Sequence, residues 1–379
     1  MQKRLSVFSL FCVLCVSALL LCSCDKKKEE GEGAADKGEK SAATEVKKKE
    51  VVEDNVEKKS DTRDEKSGSV EKIVPDFPEG PAVEADPDGE KVELRLKLKK
   101  GQKVRLRTLN EQKIHQVIQG RAQDMDQTIG MGMTMDVKDV DKEKNMEILV
   151  SYHWIKFVQR GGPAVIEFDS DNPPKDLHPA VKMFAALKDK GFTMKVNPLG
   201  KVLNIKGAGE MLNKALEEAK LPPGPQTEAV KKNLKQQFSD EALKKSMGNL
   251  FAIYPEKAVG VGSKWKMKNE GSGAFTMTLY NTYVMTSLEG KKAAVKVESV
   301  VSTGEKGNTM DVGKMKMTYS MQGKQGGDIS IDVETGLTEK ATLKQNITGT
   351  MKMDMGPGKS MSWPITIKST VKVFPEPKG

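Results

Sequence analysis

Cysteine is absent from almost the whole of this 379-residue chain. All four cysteines, at positions 12, 15, 22 and 24, lie near the start of the sequence. The residues after position 24 can therefore form neither a disulfide bond nor a metal site with thiolate ligands. Such a composition suits an oxidising compartment, in which an unpaired thiol is a chemical liability.

Histidine and the common catalytic motifs are also scarce. The three histidines, His115, His153 and His178, are isolated from one another, and neither G-x-S-x-G nor H-E-x-x-H occurs. Partial matches to a phosphate loop at 356–360 and to a calcium loop at 139–150 each lack an obligatory residue. We therefore expect no enzyme activity, no cofactor and no metal site.

Aromatic residues make up only 5% of the chain, whereas charged residues make up 30% and leave a net charge of +9. A protein with so few aromatic side chains is not expected to bind nucleic acid. A basic surface favours anionic lipid headgroups or other polyanions of a cell envelope. The alternative is that the lysines only form a solvated outer face.

The longest apolar run, residues 5–21, follows two basic residues and predicts a secretory signal. Residues 21–24, Leu-Cys-Ser-Cys, resemble the lipobox of bacterial lipoproteins. The resemblance implies cleavage just before Cys24 and a lipid on that cysteine, which would anchor the protein to a membrane. A lipid on Cys22 and an ordinary signal peptide remain as alternatives.

The composition divides the chain into five segments. Residues 25–75 mix both charges, contain no aromatic residue and predict a disordered tether. The five segments are a signal peptide (1–24), the tether (25–75), a first β-meander with a helix (76–207), a helical insert (208–253) and a second β-meander (254–379).

Alternation of apolar and polar residues predicts strands throughout both meanders. Leu94, Leu96 and Leu98 alternate with charged residues, which predicts a first strand with one buried face. Amphipathic helices are predicted over 179–190 and within 208–251. We expect a mainly β (α+β) fold of two related curved antiparallel meander sheets, or open half-barrels, with inserted helices.

The two meanders share a local pattern. The sequence GQKVRLR at 101–107 matches GSKWKMK at 262–268 in residue type, and each begins a long strand pair. We infer an internal duplication of one β-meander unit. The alternative is that antiparallel meanders resemble one another at this level.

Methionine is abundant, with 21 residues in the chain, and occurs at alternate positions of several predicted strands. Residues that alternate along a strand share one face of the sheet. We expect an apolar wall for a lipid-like ligand, or a packed core. A soft metal such as Cu(I) or Ag(I) is a further alternative, because thioethers bind such ions. The methionines concerned are Met131, Met133, Met135, Met315, Met317, Met321, Met351, Met353 and Met355.

The body as a whole, including YPEKAVGVGSKW at 254–265, resembles an uncharacterised family of bacterial envelope lipoproteins. Its strand pattern and inserted helices also resemble the half-barrels of Lol-type lipoprotein carriers. These resemblances imply no catalytic residue. We expect a non-enzymatic envelope protein, lipid-anchored with its body in the periplasm or at the surface, that binds an apolar or lipid-like ligand. The alternatives are a structural or assembly lipoprotein with a protein partner, and a Cu(I) or Ag(I) binder.

Overall fold

Strands dominate the computed structural model of the protein, which describes residues 77–78, 82–161, 165–221, 223–224, 227–228, 231–232, 234–235, 238–251, 253–270, 276–304, 307–312, 315–356 and 358–376. The predicted signal peptide, Cys24 and the tether lie outside the described residues. The strands are β1 (Ala82–Ala85), β2 (Lys91–Val92), β3 (Lys103–Ile118), β4 (Arg121–Val140), β5 (Met146–Arg160), β6 (Ile166–Asp169), β7 (Gly191–Val196), β8 (Val202–Lys206), β9 (Val259–Gly260), β10 (Lys264–Glu270), β11 (Thr278–Glu289), β12 (Lys292–Ser302), β13 (Asn308–Val312), β14 (Met315–Asp332), β15 (Thr338–Asp354) and β16 (Ser360–Pro375). The helices are α1 (Pro179–Ala186), α2 (Ala208–Ala219) and α3 (Asp240–Phe251).

One antiparallel sheet contains most of these strands, in the order β1-β10-β11-β12-β14-β15-β16-β3-β4-β5-β7-β8. β13 and β6 pair at its margin with β14 and β5, and β2 pairs separately with β9. The mainly β fold with inserted helices is confirmed. Pairing of β16 with β3 joins the two predicted meanders into this one sheet. The sheet is open, because its end strands β1 and β8 do not pair with each other among the described residues.

The segment that precedes β3 differs from its prediction. Leu94, Leu96 and Leu98 are buried as expected, but only Lys91–Val92 of this region is a strand. Backbone N–H groups of the segment bond instead to two hairpin turns. Leu96 donates to the carbonyl of Pro198 at 2.8 Å and Lys97 to that of Thr335 at 2.9 Å. The alternation therefore reflects burial against the core rather than a place in the sheet.

The hydrogen bonds at the start of β3 and at the start of β10 follow the same pattern. Gly101 N–H donates to the Val137 carbonyl at 2.8 Å, and Val137 N–H donates to Gln102 at 3.0 Å. The second meander repeats this pair between Gly262, Met285 and Ser263, at 2.8 and 3.0 Å. In both places the strand register shifts next to the bonded residue, after Val137 and after Met285. A shared bulge geometry supports duplication of one unit.

The helices also follow the sequence, with one correction. α2 buries the apolar face that the sequence predicts, and the Ser239 hydroxyl accepts the Ala242 N–H at 3.2 Å as an N-cap of α3. The helix predicted to extend to residue 190 ends at Ala186. Its predicted end is wrong because residues 189 and 190 already pair with Tyr152 of β5, at 2.6 and 3.0 Å.

Two apolar clusters fill the inner face of the sheet. The larger cluster includes the three helices, the first methionine strand around Met133, and parts of both meanders. In the second cluster, around Trp363 and Met321, the buried side chains among the described residues come from strands, except for Met277 just before β11. The sheet must therefore curve there for its own strands to cover one another's apolar side chains.

A row of buried polar residues crosses the inner face between the two clusters. Each residue lies directly opposite the next on the neighbouring strand, over eight strands, and none is more than 7% exposed. Gln112 donates to Gln127 at 2.6 Å, and Gln127 donates to Gln159 at 3.3 Å. We call this set the polar row: Asn281, Ser299, Gln325, Gln345, Ser369, Gln112, Gln127 and Gln159.

Candidate functional site

A cleft of about 1180 Å³ lies on the outer face of the sheet, level with the polar row. The residues that line it include six of the polar row, namely Gln112, Gln127, Ser299, Gln325, Gln345 and Ser369. The other lining residues of these strands come immediately before or after a polar-row residue, and their side chains point away from the core. They form two aligned cross-strand rows. One row is Tyr280, Val300, Lys324, Asn346, Lys368, Lys113, Asp126 and Arg160; the other is Lys266, Thr282, Glu298, Gly326, Lys344, Thr370, Glu111 and Thr128.

The two ends of the first row differ in chemistry. At the β11 end, Tyr280 and Val300 are only partly buried, and Phe77 packs edge-on against Tyr280 with ring centroids 5.4 Å apart. The Lys266 ammonium lies 5.2 Å from the centroid of the Phe77 ring. Further along the same row, the exposed lysines 324, 368 and 113 follow. The cleft therefore has an apolar, aromatic end and a basic centre.

The acidic residues of the cleft already have basic partners. Glu111 pairs with Lys372 at 2.6 Å, and Glu298 pairs with Lys296 at 2.9 Å. The hydrogen bond from Lys296 lowers the pKa of the Glu298 carboxyl below its ordinary value. Asp126 is 3.9 Å from Lys113. Because these carboxylates are already paired, they do not neutralise the other lysines at the centre of the cleft, and the electrostatic potential there is positive.

A second charged cluster lies on the outer face of β3, β4 and β5. The guanidinium of Arg107 stacks 4.5 Å above the Trp154 ring and pairs with Asp171 at 2.8 Å. His153 Nε2 is 3.2 Å from a carboxylate oxygen of Glu376, without the alignment of a hydrogen bond. Burial, reinforced by Arg105 and Arg107, lowers the pKa of His153 to about 4.

Glycines of the first methionine strand make room for this cluster. A Cβ on Gly130 would lie 2.4 Å from Trp154 Cη2, and one on Gly132 would lie 2.6 Å from His153 Nε2. Met131, Met133 and Met135 alternate with these glycines and lie on the opposite, buried face. In the M-G-M pattern of β4, the methionine side chains therefore point toward the core, and the glycines on the other face leave room for the Trp154 indole.

The structure divides the predicted methionine wall between the two apolar clusters. Met131, Met133 and Met135 belong to the larger cluster, and Met317, Met321 and Met351 belong to the second. Met353 is partly buried beside the second cluster, and Met355 is 47% exposed. Met315 lies in β14, and its side chain is outside the described residues. The nine methionines thus do not form one continuous surface.

Within the described part of the chain, no group of three or more His, Asp or Glu side chains is placed to hold a metal ion. None of the helices described there has the length and apolar character needed to cross a membrane.

The cleft residues are difficult to find from the sequence. Lys324, Lys344 and Lys368 appear there only as outward-facing residues of separate strands. Their neighbourhood depends on the register between strands, and β16 pairs with β3 across some 250 residues of chain. The one sequence signal is indirect: a Gln, Asn or Ser occupies a core-facing position in each of the eight strands, and it marks the level of the cleft.

Comparisons with known proteins identify the family of the chain. No curated protein matches the chain. A solved structure, the CymD monoaromatic hydrocarbon channel, aligns with 73% of this chain and 89% of its own at 8% identity and a TM-score of 0.10, which is too low to support a shared fold. Residues 143–338 match a family of unknown function, DUF6263, and include the segment 254–265; the match agrees with the expected membership of an uncharacterised family. The match covers more than half of the chain, which therefore belongs to the DUF6263 family.

Proposed function

We propose that this protein is a lipid-anchored binding protein of the bacterial envelope and that it holds a lipid-like ligand in the cleft. The observation that carries the proposal is the change of chemistry along one cross-strand row, from Tyr280 and Val300 to Lys324 and Lys368. An amphiphile changes in the same way along its length, from an apolar chain to a polar head. Ligand sites in proteins combine apolar and aromatic walls with a few placed polar groups in this way.

The position of the ligand follows from packing. The methionines that the sequence proposes as an apolar wall are largely buried within two clusters of side chains. The cleft, by contrast, presents partly exposed apolar side chains beside charged ones on the outer face. We therefore place the lipid-like ligand on the outer face and assign the buried methionines to the core.

The anchor is a separate part of the proposal and rests on the lipobox-like residues 21–24. A lipid on Cys24 would hold the body at a membrane, with the ligand supplied by that membrane or by a partner in the envelope. Metabolic labelling with an acyl probe tests this directly. Cys24→Ser should abolish labelling, and labelling that persists until Cys22 is also changed would move the lipid to Cys22.

Binding in the cleft is tested by calorimetry with a short-chain soluble lipid, dihexanoyl phosphatidylglycerol. The predicted mature chain, which begins at residue 24, is used with Cys24 changed to serine, so that neither the apolar signal segment nor an attached lipid competes. We expect Tyr280→Ser to weaken binding about fivefold or more, because it removes apolar contact at the aromatic end. Val284→Thr is the matched control, since Val284 is on the same strand and face but outside the cleft. Equal losses in both variants would contradict the proposal.

A further inference from the structure

Four lysines lie at the centre of the cleft, and among the described residues only one of them, Lys113, has an acidic partner, Asp126 at 3.9 Å. Lys324, Lys344, Lys368 and Lys113 come from β14, β15, β16 and β3, which are consecutive in the sheet. Lys368 and Lys113 are directly opposite one another, and Lys344 is diagonal to both Lys324 and Lys368. Among the described residues, no acidic side chain forms an ion pair with Lys324, Lys344 or Lys368.

Like charges opposite one another on neighbouring strands destabilise a sheet. Other lysines on the same outer face have acidic partners, as Lys372 has Glu111 and Lys296 has Glu298. The central group is therefore distinct from an ordinary solvated face of alternating charges. An anion placed among the four ammonium groups would relieve the repulsion and gain charge-assisted hydrogen bonds from several donors.

We infer that these four lysines form an anion subsite that binds the phosphate headgroup of the lipid-like ligand. The inference rests on the proposed function, which supplies an amphiphile, and it specifies the chemistry of its head. The aromatic end is two strands from Lys324 along the row, because Val300 separates Tyr280 from that lysine. A headgroup on the lysines can therefore leave its chain over Val300 and Tyr280.

The test compares three probes on the same protein: dihexanoyl phosphatidylglycerol, the uncharged octyl glucoside, and inorganic pyrophosphate. The variant is Lys344→Gln with Lys368→Gln. Each lysine near an anionic lipid surface contributes about fivefold in affinity, so we expect roughly a 20- to 30-fold loss for the anionic lipid. The affinity for octyl glucoside should not change. Lys340→Gln is the control, because Lys340 shares the strand and face of Lys344 but lies outside the cleft.

The outcomes separate the two proposals. Unchanged affinity for the anionic lipid in the double variant overturns the anion subsite but leaves a lipid-binding cleft. Pyrophosphate that binds as tightly as the lipid, and is lost in the double variant, supports the subsite but overturns the lipid as its ligand. Failure of all three probes overturns both.

A second readout distinguishes binding from a structural role. Lys368→Gln removes one of two opposed like charges, so the thermal midpoint without ligand should stay the same or rise. If Lys368 instead stabilised the fold, Lys368→Gln would lower the thermal midpoint and leave the affinity for the anionic lipid unchanged.

Discussion

Gly130 offers a sharp test of how the first methionine strand is built. Gly130→Ala adds one methyl group to the outer face of β4, directly beneath the Trp154 ring. The new Cβ would lie 2.4 Å from Cη2 and 2.6 Å from Cζ3 of that ring, and 3.0 Å from Lys156 Cβ. Carbon atoms in favourable contact are about 3.5–4.0 Å apart. The indole must therefore move by about an ångström, or the strands must separate.

Two contacts oppose that movement. The indole Nε1 donates to an Asp169 carboxylate oxygen at 2.8 Å, and the Arg107 guanidinium covers the ring at 4.5 Å. Inserting a methyl group into a packed site costs about 1–3 kcal/mol. The lower entropy of alanine in the unfolded chain returns about 0.4–1 kcal/mol. We expect Gly130→Ala to reduce the free energy of unfolding by about 1–2 kcal/mol.

Urea unfolding of the full chain measures this change through the midpoint at constant slope. In a Trp154→Leu background the ring is gone, so the same Gly130→Ala change should cost less than about 0.5 kcal/mol. The difference between backgrounds is the coupling energy of a double-mutant cycle. Gly209→Ala in α2 is the control, because its Cβ would meet nothing within 4 Å. Equal costs of Gly130→Ala in both backgrounds would refute the steric explanation.

Three further predictions concern the core and the charged cluster. Gln127→Leu should cost about 2–4 kcal/mol in urea unfolding, since it leaves two buried amides of the polar row without a partner; a cost no larger than that of a surface substitution would contradict the row's role. His153 has a pKa of about 4 when folded and about 6.5 when unfolded, so the unfolded chain binds the extra proton between these values. Stability should therefore fall by about 3 kcal/mol relative to His153→Gln as the pH decreases from 7.5 to 4, and parallel curves for the two proteins would exclude this effect. Changing Met131, Met133 and Met135 to leucine should cost less than about 1.5 kcal/mol each and leave Cu(I) uptake in a chelator competition unchanged, whereas loss of bound Cu(I) would support the metal alternative.

Much of the fold was accessible from the sequence because strand faces alternate. The parity of Met131, Met133 and Met135 predicts their common burial, and the apolar stripe of α2 predicts its contact with the sheet. Local turn signals also placed the strand ends near residues 140 and 146 correctly. These are properties of neighbouring residues, which a sequence shows directly.

The candidate site was less accessible because it depends on pairing between distant strands. Strict alternation would place Trp154 with Tyr152 on the core face of β5. A register shift opposite Gly132 instead brings Trp154 to the outer face, beneath Arg107. One extra residue in a strand reverses the faces beyond it, and the sequence around His153 carries no glycine or proline to mark that bulge.

The side chains of the polar row and the charged side chains of the cleft point to opposite faces of the same eight strands, and this arrangement has a physical reason. A slip of one residue between two strands would turn the apolar side chains of one strand toward solvent and its charged side chains toward the core, which is strongly unfavourable. A slip of two residues would keep the faces but place Gln112 opposite Met125 or Ile129 instead of Gln127. Each such mismatch leaves a buried amide unpaired, at about 1–3 kcal/mol. The inner row therefore fixes the register of each strand against its neighbours, and the same register aligns Lys324, Lys368 and Lys113 on the outer face.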